Sequence, residues 1–302
     1  MPIQPIYQSN QPWDGIRQPV LAKLIIVLNF YSRFFLTPVL AENAYDTVSS
    51  KSAVEGLTKD IVLSAVRQGD VLVVETHNFR ISSRLNSADL FVCAQDCETL
   101  RNQLHQKWFP DTPSENWTPK ADIVIHRTVD EFRSALGETS SGASGCVTVK
   151  QKHGRVIQRR VDLRADVPDW SNSSLSHEMM HLIVVEHFGE RQLPRWADEG
   201  MAVLAESREK QFEREKAATG CTSLSLPRLL AFDVYPTGSE RAAFYAKSAS
   251  LTAFLINRGG CDRFVMFIEQ SMEVGYERAL RENYNLNGIC GLDREWNARM
   301  QN

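Results

Sequence analysis

The chain contains two histidines four positions apart, with a glutamate directly after the first: His177, Glu178 and His181. Residues at i and i+4 lie on one face of an α-helix, so the two imidazoles can bind a single metal ion. Zinc is the ion that this arrangement typically binds, and the intervening glutamate can act as the general base of a hydrolytic reaction. The spacing therefore predicts a zinc site at which water is activated.

The residues around the motif predict the helix that this geometry requires. Apolar side chains recur at helical spacing between Leu175 and Ile183, which places both histidines on one face. Ser173 and Ser174 can cap the start of the helix, and Gly189 can end it.

A third ligand is expected on a second helix. Pro194 suits the first turn of a helix, and after Gly200 the chain has no Pro or Gly until Gly220. Glu199 follows His181 by eighteen positions, which allows an antiparallel return that brings its carboxylate to the imidazoles. Three protein ligands leave a fourth zinc position for water, as a catalytic site needs.

Glu206 lies two helical turns beyond Glu199 and on nearly the same face. It can orient a ligand histidine from outside the metal shell. It also precedes the charged run Glu209–Lys216, which is typical of a solvated helix face, so both roles stay open for Glu206.

The two helices resemble those of the gluzincin metallopeptidases, in the peptidase MA-like group related to thermolysin and the zinc aminopeptidases. The likeness rests on the His-Glu-x-x-His helix and on Pro-x-Trp-x-x-Glu-Gly-x-Ala, which spans Pro194 to Ala202. Weaker similarity extends over roughly Val71 to Trp296, with its best segments at Thr76–Ile81, Ile123–His126, Phe244–Leu251, Gly275–Leu280 and Leu292–Trp296.

The resemblance implies an α+β, zincin-like fold, with a small mixed sheet packed on the metal helix and a helical C-terminal lobe. It implies one Zn²⁺ per chain and hydrolysis of a peptide or protein substrate, whose main chain adds as a strand to the edge of the sheet. Tyr245 is the expected oxyanion donor by similarity to a tyrosine of the aminopeptidases, and Tyr235 is the alternative. Tyr245 on an amphipathic helix is equally typical of a core residue.

Two departures from the family pattern leave the specificity open. Val203 stands where thermolysin-like enzymes carry an aspartate, and the aminopeptidase Gly-x-Met-Glu-Asn motif is missing from the sequence. The chain can therefore be an endopeptidase or an exopeptidase. A zincin-fold binding or processing module without catalysis is the alternative from a different functional class.

His187 offers a rival third ligand, because it follows His177 by ten positions, as in metzincins. Those enzymes need a glycine where this chain has Val184, so that the chain can leave the helix. A β-branched residue there favours continuation of the helix and turns His187 away from the other two histidines. We expect His187 to lie at the helix end, near the negative pole of the dipole.

Periodicity predicts a sheet-bearing region with the metal helix at 45–189 and a helical region at 190–302, and the resemblance implies that they form one gluzincin-like peptidase domain. The predicted elements are a helix near Ser52–Arg67, strands at Val71–Glu75 and Phe79–Ile81, a helix at Asn86–Lys107, a strand at Asp122–His126, a hairpin of Cys146–Val149 and Val156–Leu163 around Lys152-His153-Gly154, and helices from Asn172 onward.

Residues 1–44 are predicted to be a signal peptide or an N-terminal anchor. A polar start is followed by the mostly apolar stretch Leu24–Leu40 and by small residues around Ala41 and Ala44. This pattern favours an exported protein that is periplasmic, secreted or membrane-anchored. An amphipathic N-terminal helix of a cytoplasmic protein is the alternative.

With 302 residues, of which 43% are hydrophobic, the chain is long enough to bury a full core. Its formal net charge of -3 gives no electrostatic footprint for nucleic acid. Six cysteines permit up to three disulfides in an exported protein, or buried free thiols in a cytoplasmic one. Cys93 and Cys97, four apart in a predicted helix, are poorly placed to bond each other.

Overall fold

A mixed β-sheet precedes the helical part of the chain. The computed structural model describes residues 23–27, 61–138, 142–219, 224–238 and 240–300. Six strands lie between Ser64 and Arg164, and a seventh comes from the N-terminal region, in the order β1-β6-β7-β5-β4-β3-β2. Strand β5 is parallel to both its neighbours, and the other pairs are antiparallel. The strands are β1 Lys23–Val27, β2 Ser64–Gln68, β3 Val71–Glu75, β4 Phe79–Ser83, β5 Ala121–His126, β6 Gly145–Lys152 and β7 Arg155–Arg164.

The described elements after β7 are all helical, so the protein is an α+β protein. A π-helical turn, Trp170–Ser174, runs directly into the third helix, and the seventh helix bends at Gly260 (φ 82°, ψ 171°). The helices are α1 Ser87–Trp108, α2 Val129–Leu136, α3 Leu175–Phe188, α4 Arg195–Val203, α5 Arg208–Thr219, α6 Leu226–Leu230, α7 Glu240–Val274, α8 Tyr276–Tyr284 and α9 Gly288–Met300.

Most of the predicted elements are confirmed. The strands expected at Val71–Glu75 and Asp122–His126 match β3 and β5, and Asn86 caps α1 by accepting from the Asp89 amide. The predicted hairpin joins β6 to β7 through His153 (φ 51°) and Gly154 (φ 73°). Two consecutive positive φ angles are typical of a type I′ turn, whose twist matches that of the flanking strands.

The predicted helix near Ser52–Arg67 is wrong at its C-terminal end. Ser64–Gln68 forms β2, which pairs with β3 across a tight turn at Gly69 (φ 64°) and Asp70. All five side chains of β2 are exposed, so it lacks the apolar alternation that identifies a half-buried strand. Residues 52–60 of the prediction lie outside the described residues.

Helix α3 packs between the sheet and the helical half of the chain. It contacts β6, β7 and α1 on one side and α4 on the other, and α4 packs closely on α7. Gly200 makes that close approach possible, because a Cβ atom there would lie 2.1 Å from Thr252 Oγ1 and 2.7 Å from the Ser248 carbonyl oxygen. One buried apolar cluster runs from the sheet through α3 to α9.

The cysteines Cys93, Cys97, Cys146, Cys261 and Cys290 are free thiols, and Cys221 lies outside the described residues. The described part of the chain therefore contains none of the disulfides that an even cysteine count permits. Across the same residues, every helix is too short or too polar to cross a membrane. The predicted leader is described only at its Lys23–Val27 portion, which forms β1, and the rest of residues 1–44 lies outside the described ranges.

Candidate metal centre

Helix α3 carries the two histidines and begins at Leu175, where the sequence predicts it, with the π-helical turn Trp170–Ser174 directly before it. Asp169, with a left-handed backbone (φ 57°), accepts hydrogen bonds from Ser173 Oγ (2.6 Å) and Asn172 Nδ2 (2.9 Å). Ser174 holds the predicted position directly before α3, but its backbone is helical and it makes no side-chain capping hydrogen bond, and Ser173 Oγ donates to Asp169 instead. The predicted end is confirmed, because α3 stops at Phe188 and Gly189 takes a positive φ of 61°.

The structure brings His177, His181 and Glu199 together. Their potential ligand atoms all lie within 4.8 Å of one another, and all three residues are buried. The distance from His177 Nε2 to Glu199 Oε2 is 3.3 Å, and that from His181 Nε2 to Glu199 Oε1 is 3.8 Å. Two ligands about 2.1 Å from a tetrahedral zinc are separated by roughly 3.4 Å, so these spacings are close to those of a zinc site.

The inward-facing atoms of this group lack hydrogen-bond partners. Among the described residues, His177 Nε2, His181 Nε2 and both Glu199 carboxylate oxygens make no hydrogen bond although they are buried. Unpartnered buried polar atoms are unfavourable, and three such side chains rarely converge without a ligand. The donor set, two imidazoles and one carboxylate, fits zinc.

Each imidazole is oriented by a carboxylate on its opposite side. His177 Nδ1 lies 2.6 Å from Glu206 Oε1, and His181 Nδ1 lies 2.8 Å from Asp198 Oδ1. Because an ionised carboxylate only accepts, each Nδ1 must carry a proton, so Nε2 is the nitrogen that faces Glu199 and that becomes a metal ligand when its own proton is lost. The role of Asp198 depends on a contact between α3 and α4, for which the sequence carries no local signal.

Glu206 orients His177, but it lies in a turn and not on the continued helix that the sequence predicted. Helix α4 ends at Val203, and the turn that follows, rather than two further helical turns, carries Glu206 to His177. Arg214 on α5 donates to both carboxylate oxygens, with Nε at 2.6 Å from Oε2. Glu206 and Arg214 are only 5% and 8% exposed, so the solvated-face interpretation is wrong for both residues. Burial opposes ionisation of Glu206, but Arg214 and His177 outweigh it and lower its pKa to about 2.

Glu178 lies on α3 against the first residue of β6. Its side chain is fully buried, and its two carboxylate oxygens make no hydrogen bond within the described residues. A Cβ atom at Gly145 would lie 2.6 Å from Glu178 Oε1, so only glycine leaves room for this carboxylate. Burial raises the pKa of Glu178 to about 7, against the opposing effect of protonated His177 and His181. A carboxylate with a pKa near neutrality is suited to accept and return a proton.

The two imidazoles of the group bind protons strongly. Burial disfavours the charged form of His177, but the carboxylates of Glu199 and Glu206 outweigh it and raise its pKa to about 10. The pKa of His181 is also raised, because Asp198 and Glu199 overcome the effect of burial. This excess of negative charge attracts a cation, and a metal ion that binds here must displace these protons.

Tyr245 and Tyr235, the two candidate oxyanion donors, both lie near Glu199. Burial and the Glu199 carboxylate raise the pKa of each phenol well above its usual value. Tyr245 is almost fully buried, with the Arg214 guanidinium 5.5 Å from its ring centroid. Tyr235 is half-buried and carries Arg195 over its ring at 4.8 Å. Tyr245 thus combines the two environments that the sequence left open, a core position and proximity to the site.

His187 lies outside the candidate metal group. It stacks on Phe109 with ring centroids 4.0 Å apart, and its Nε2 lies 3.6 Å from Glu269 Oε1. Its position in the last turn of α3 matches the expectation for a helix-end residue. Burial lowers its pKa, so the ring is mostly neutral at pH 7.

Comparison with known protein families and with characterised proteins finds no match for this chain. The site must therefore be interpreted from its own geometry.

Proposed function

We propose that this chain is a zinc-dependent peptidase of the gluzincin type, with His177, His181 and Glu199 as the zinc ligands. The observation that supports it most is the convergence of three unpartnered, buried ligand groups, with both imidazoles held at Nδ1 by carboxylates. A zincin-like fold is part of the proposal. It is supported by the mixed sheet, whose strands β6 and β7 pack on the helix that carries the motif.

The chemistry follows from the residues around the site. When bound, zinc supplies a Lewis acid that acidifies water and polarises a carbonyl group. Glu178 accepts the proton of the attacking water and then donates it to the leaving amine. Asp198 and Glu206 hold the ligand imidazoles in place, and Arg214 keeps Glu206 ionised.

The oxyanion of the tetrahedral intermediate needs a hydrogen-bond donor besides the metal. Tyr245 remains our candidate by the family resemblance and by its place near Glu199, whose charge, with burial, raises the pKa of the phenol well above its usual value. The substrate class, a peptide or protein, rests on the family resemblance and on the position of β6 beside Glu178. An exported location is part of the same proposal, in a form that retains the N-terminal segment uncleaved, because Lys23–Val27 forms β1.

The direct test is Glu178→Gln, which keeps the size of the side chain and removes its basicity. We expect bound zinc to be unchanged and casein hydrolysis to fall by at least about 10²-fold, since a positioned general base typically contributes that much. Glu190→Gln, an exposed glutamate just beyond the same helix, is the matched control and should retain full activity.

Measuring casein binding together with hydrolysis distinguishes a peptidase from a zincin-fold binding module. A zinc-loaded parent protein that binds casein or a random peptide pool but leaves every peptide intact by mass spectrometry would support a binding module. Equal hydrolysis by the parent and Glu178→Gln would show that the reaction occurs elsewhere.

A further inference from the structure

The outer edge of β6 passes beside the general base. Gly145 begins the strand and packs on the Glu178 side chain, and β7 occupies only one side of β6. A polypeptide paired with the other side, opposite Cys146, would therefore run close to Glu178. The backbone groups on that edge can bind an extended chain by strand addition, whatever its side chains.

Strand β1 occupies this edge. Lys23–Val27 pairs antiparallel with β6 in continuous register, from Lys23 opposite Lys150 to Val27 opposite Cys146. The pairing thus ends one residue from Gly145, at the point where β6 meets Glu178. The backbone groups that an extended peptide would use at this edge are the ones that β1 already uses.

A strand in the same chain competes efficiently with a free peptide. Because β1 and β6 belong to one polypeptide, their pairing is intramolecular and does not depend on protein concentration, whereas a free peptide binds in proportion to its concentration. Strand β1 lies at the edge of the sheet and pairs with β6 alone, so it makes backbone hydrogen bonds to one neighbour where the inner strands make them to two. Strand β1 can therefore block the edge and still be displaced.

We propose that β1 is an internal occupant of the peptide-binding edge of β6, and that an extended peptide binds only when β1 leaves it. The segment that fills the edge is Lys23–Val27. The ligand that competes with it is an unfolded polypeptide chain. This inference rests on the proposed peptidase function, because that function makes the β6 edge the place where substrate binds. The exclusion of peptide by β1 can nevertheless be measured without hydrolysis.

A reversible cross-link tests the proposal in the full-length protein. Ile25 lies opposite Thr148, and directly opposed residues of antiparallel strands have Cα atoms about 4.5–5.5 Å apart, within the range of a disulfide. Ile25→Cys combined with Thr148→Cys should form a disulfide that locks β1 on β6. Ile25→Cys combined with Lys152→Cys is the matched control. Lys152 is four residues further along β6, about 13 Å away, and should form no disulfide with position 25.

Two readouts are taken on the zinc-loaded Ile25→Cys/Thr148→Cys protein before and after reduction. We expect the oxidised form to bind fluorescein-labelled casein, measured by anisotropy, at least about ten-fold more weakly than the reduced form. The reason is that the disulfide keeps β1 paired with β6, so that β1 cannot leave the edge. Casein hydrolysis should fall in parallel and recover with reductant. Peptide mapping by mass spectrometry identifies the 25–148 disulfide among the native thiols.

Each outcome decides the proposal. Equal casein binding by the locked and reduced forms would overturn it, as would a failure of the 25–148 disulfide to form under oxidation. Reduced protein that binds casein more tightly than the locked form but hydrolyses none would support the edge occupancy and count against the peptidase function. Loss of hydrolysis on locking, with binding unchanged, would also contradict the proposed displacement.

Discussion

At the residue scale, two carboxylates decide which nitrogen of each ligand imidazole faces the metal position. Glu206 and Asp198 each accept a hydrogen bond from Nδ1–H of one histidine, so both Nε2 atoms point toward Glu199. The fixed tautomers mean that little rearrangement is needed when an ion binds. The same carboxylates strengthen the imidazoles as ligands, which ties the metal affinity to residues that do not contact the metal.

Glu206→Gln tests this dependence. The substitution removes the charge that orients His177 and pairs with Arg214, so we expect the zinc dissociation constant to rise by about 10- to 100-fold. Competition with a chromogenic chelator gives the affinity. Glu213→Gln, an exposed glutamate on α5, is the control and should bind zinc like the parent. Identical affinities for both variants would refute an orienting role for Glu206.

Tyr245→Phe distinguishes the two roles considered for Tyr245, oxyanion donor and core residue. If the phenol stabilises the oxyanion, turnover should fall by about 10²-fold with little change in melting temperature. A purely structural hydroxyl would instead alter stability by about 1 kcal/mol at most and leave turnover unchanged. Tyr235→Phe is measured alongside. Normal turnover in both variants would show that neither tyrosine stabilises the oxyanion and would contradict the choice of Tyr245.

The chemistry of single residues was the most predictable part of the site. Helix geometry alone places His177 and His181 on one face, so their spacing was sufficient to predict the pair. Arg214 and Gly145 were missed, because their roles depend on contacts between elements distant in sequence. Neither residue type carries a local signal for such a contact.

At the element scale, the approach of α4 to α7 places Glu199. Gly200 faces Thr252 and the Ser248 carbonyl across this contact, with no space for a side chain. Glycine in the middle of a helix is usually unfavourable by roughly 0.5–1 kcal/mol relative to alanine. The close packing of the two helices offsets this unfavourable free energy and fixes the position of Glu199, the proposed ligand directly before Gly200.

Gly200→Ala should separate the two helices. We expect destabilisation by about 1–3 kcal/mol, the usual range for overpacking, together with weaker zinc binding because Glu199 moves with α4. Gly291→Ala in α9 is the matched control, since its nearest neighbour would lie at an ordinary 3.4 Å. That variant should equal or exceed the parent in stability. Denaturant unfolding and zinc titration of both proteins give the comparison, and an unchanged Gly200→Ala protein would contradict the packing argument.

Elements with a strong periodic or turn signal were predicted, and those fixed by tertiary contacts were not. The β6–β7 hairpin follows from His153-Gly154, and α1 follows from its length and its Asn86 cap. Strand β2 has five exposed side chains, and its pairing with β3 overrides local helical propensity. The break after Val203 has no Pro or Gly to mark it, so sequence alone favoured a longer helix.

At the scale of the whole molecule, the two halves of the chain contribute different parts of the site. Helix α3, between the sheet and the helical half, supplies the two histidines, and the helical half supplies Glu199 and the orienting carboxylates. The sheet supplies Gly145, which makes room for Glu178, and the β6 edge along which β1 lies. A continuous core joins the halves, so a bound ion would stabilise the folded chain as a unit.

The zinc content of the purified protein tests the central claim most directly. We expect elemental analysis after gel filtration to find about one zinc per chain in the parent, as a site with three protein ligands and one open position predicts. His181→Ala should lose the metal, and His187→Ala should retain it, because His187 lies against Phe109 and Glu269 instead. Zinc retained at full stoichiometry in His181→Ala, or lost in His187→Ala, would contradict the assignment of His177, His181 and Glu199 as the metal site.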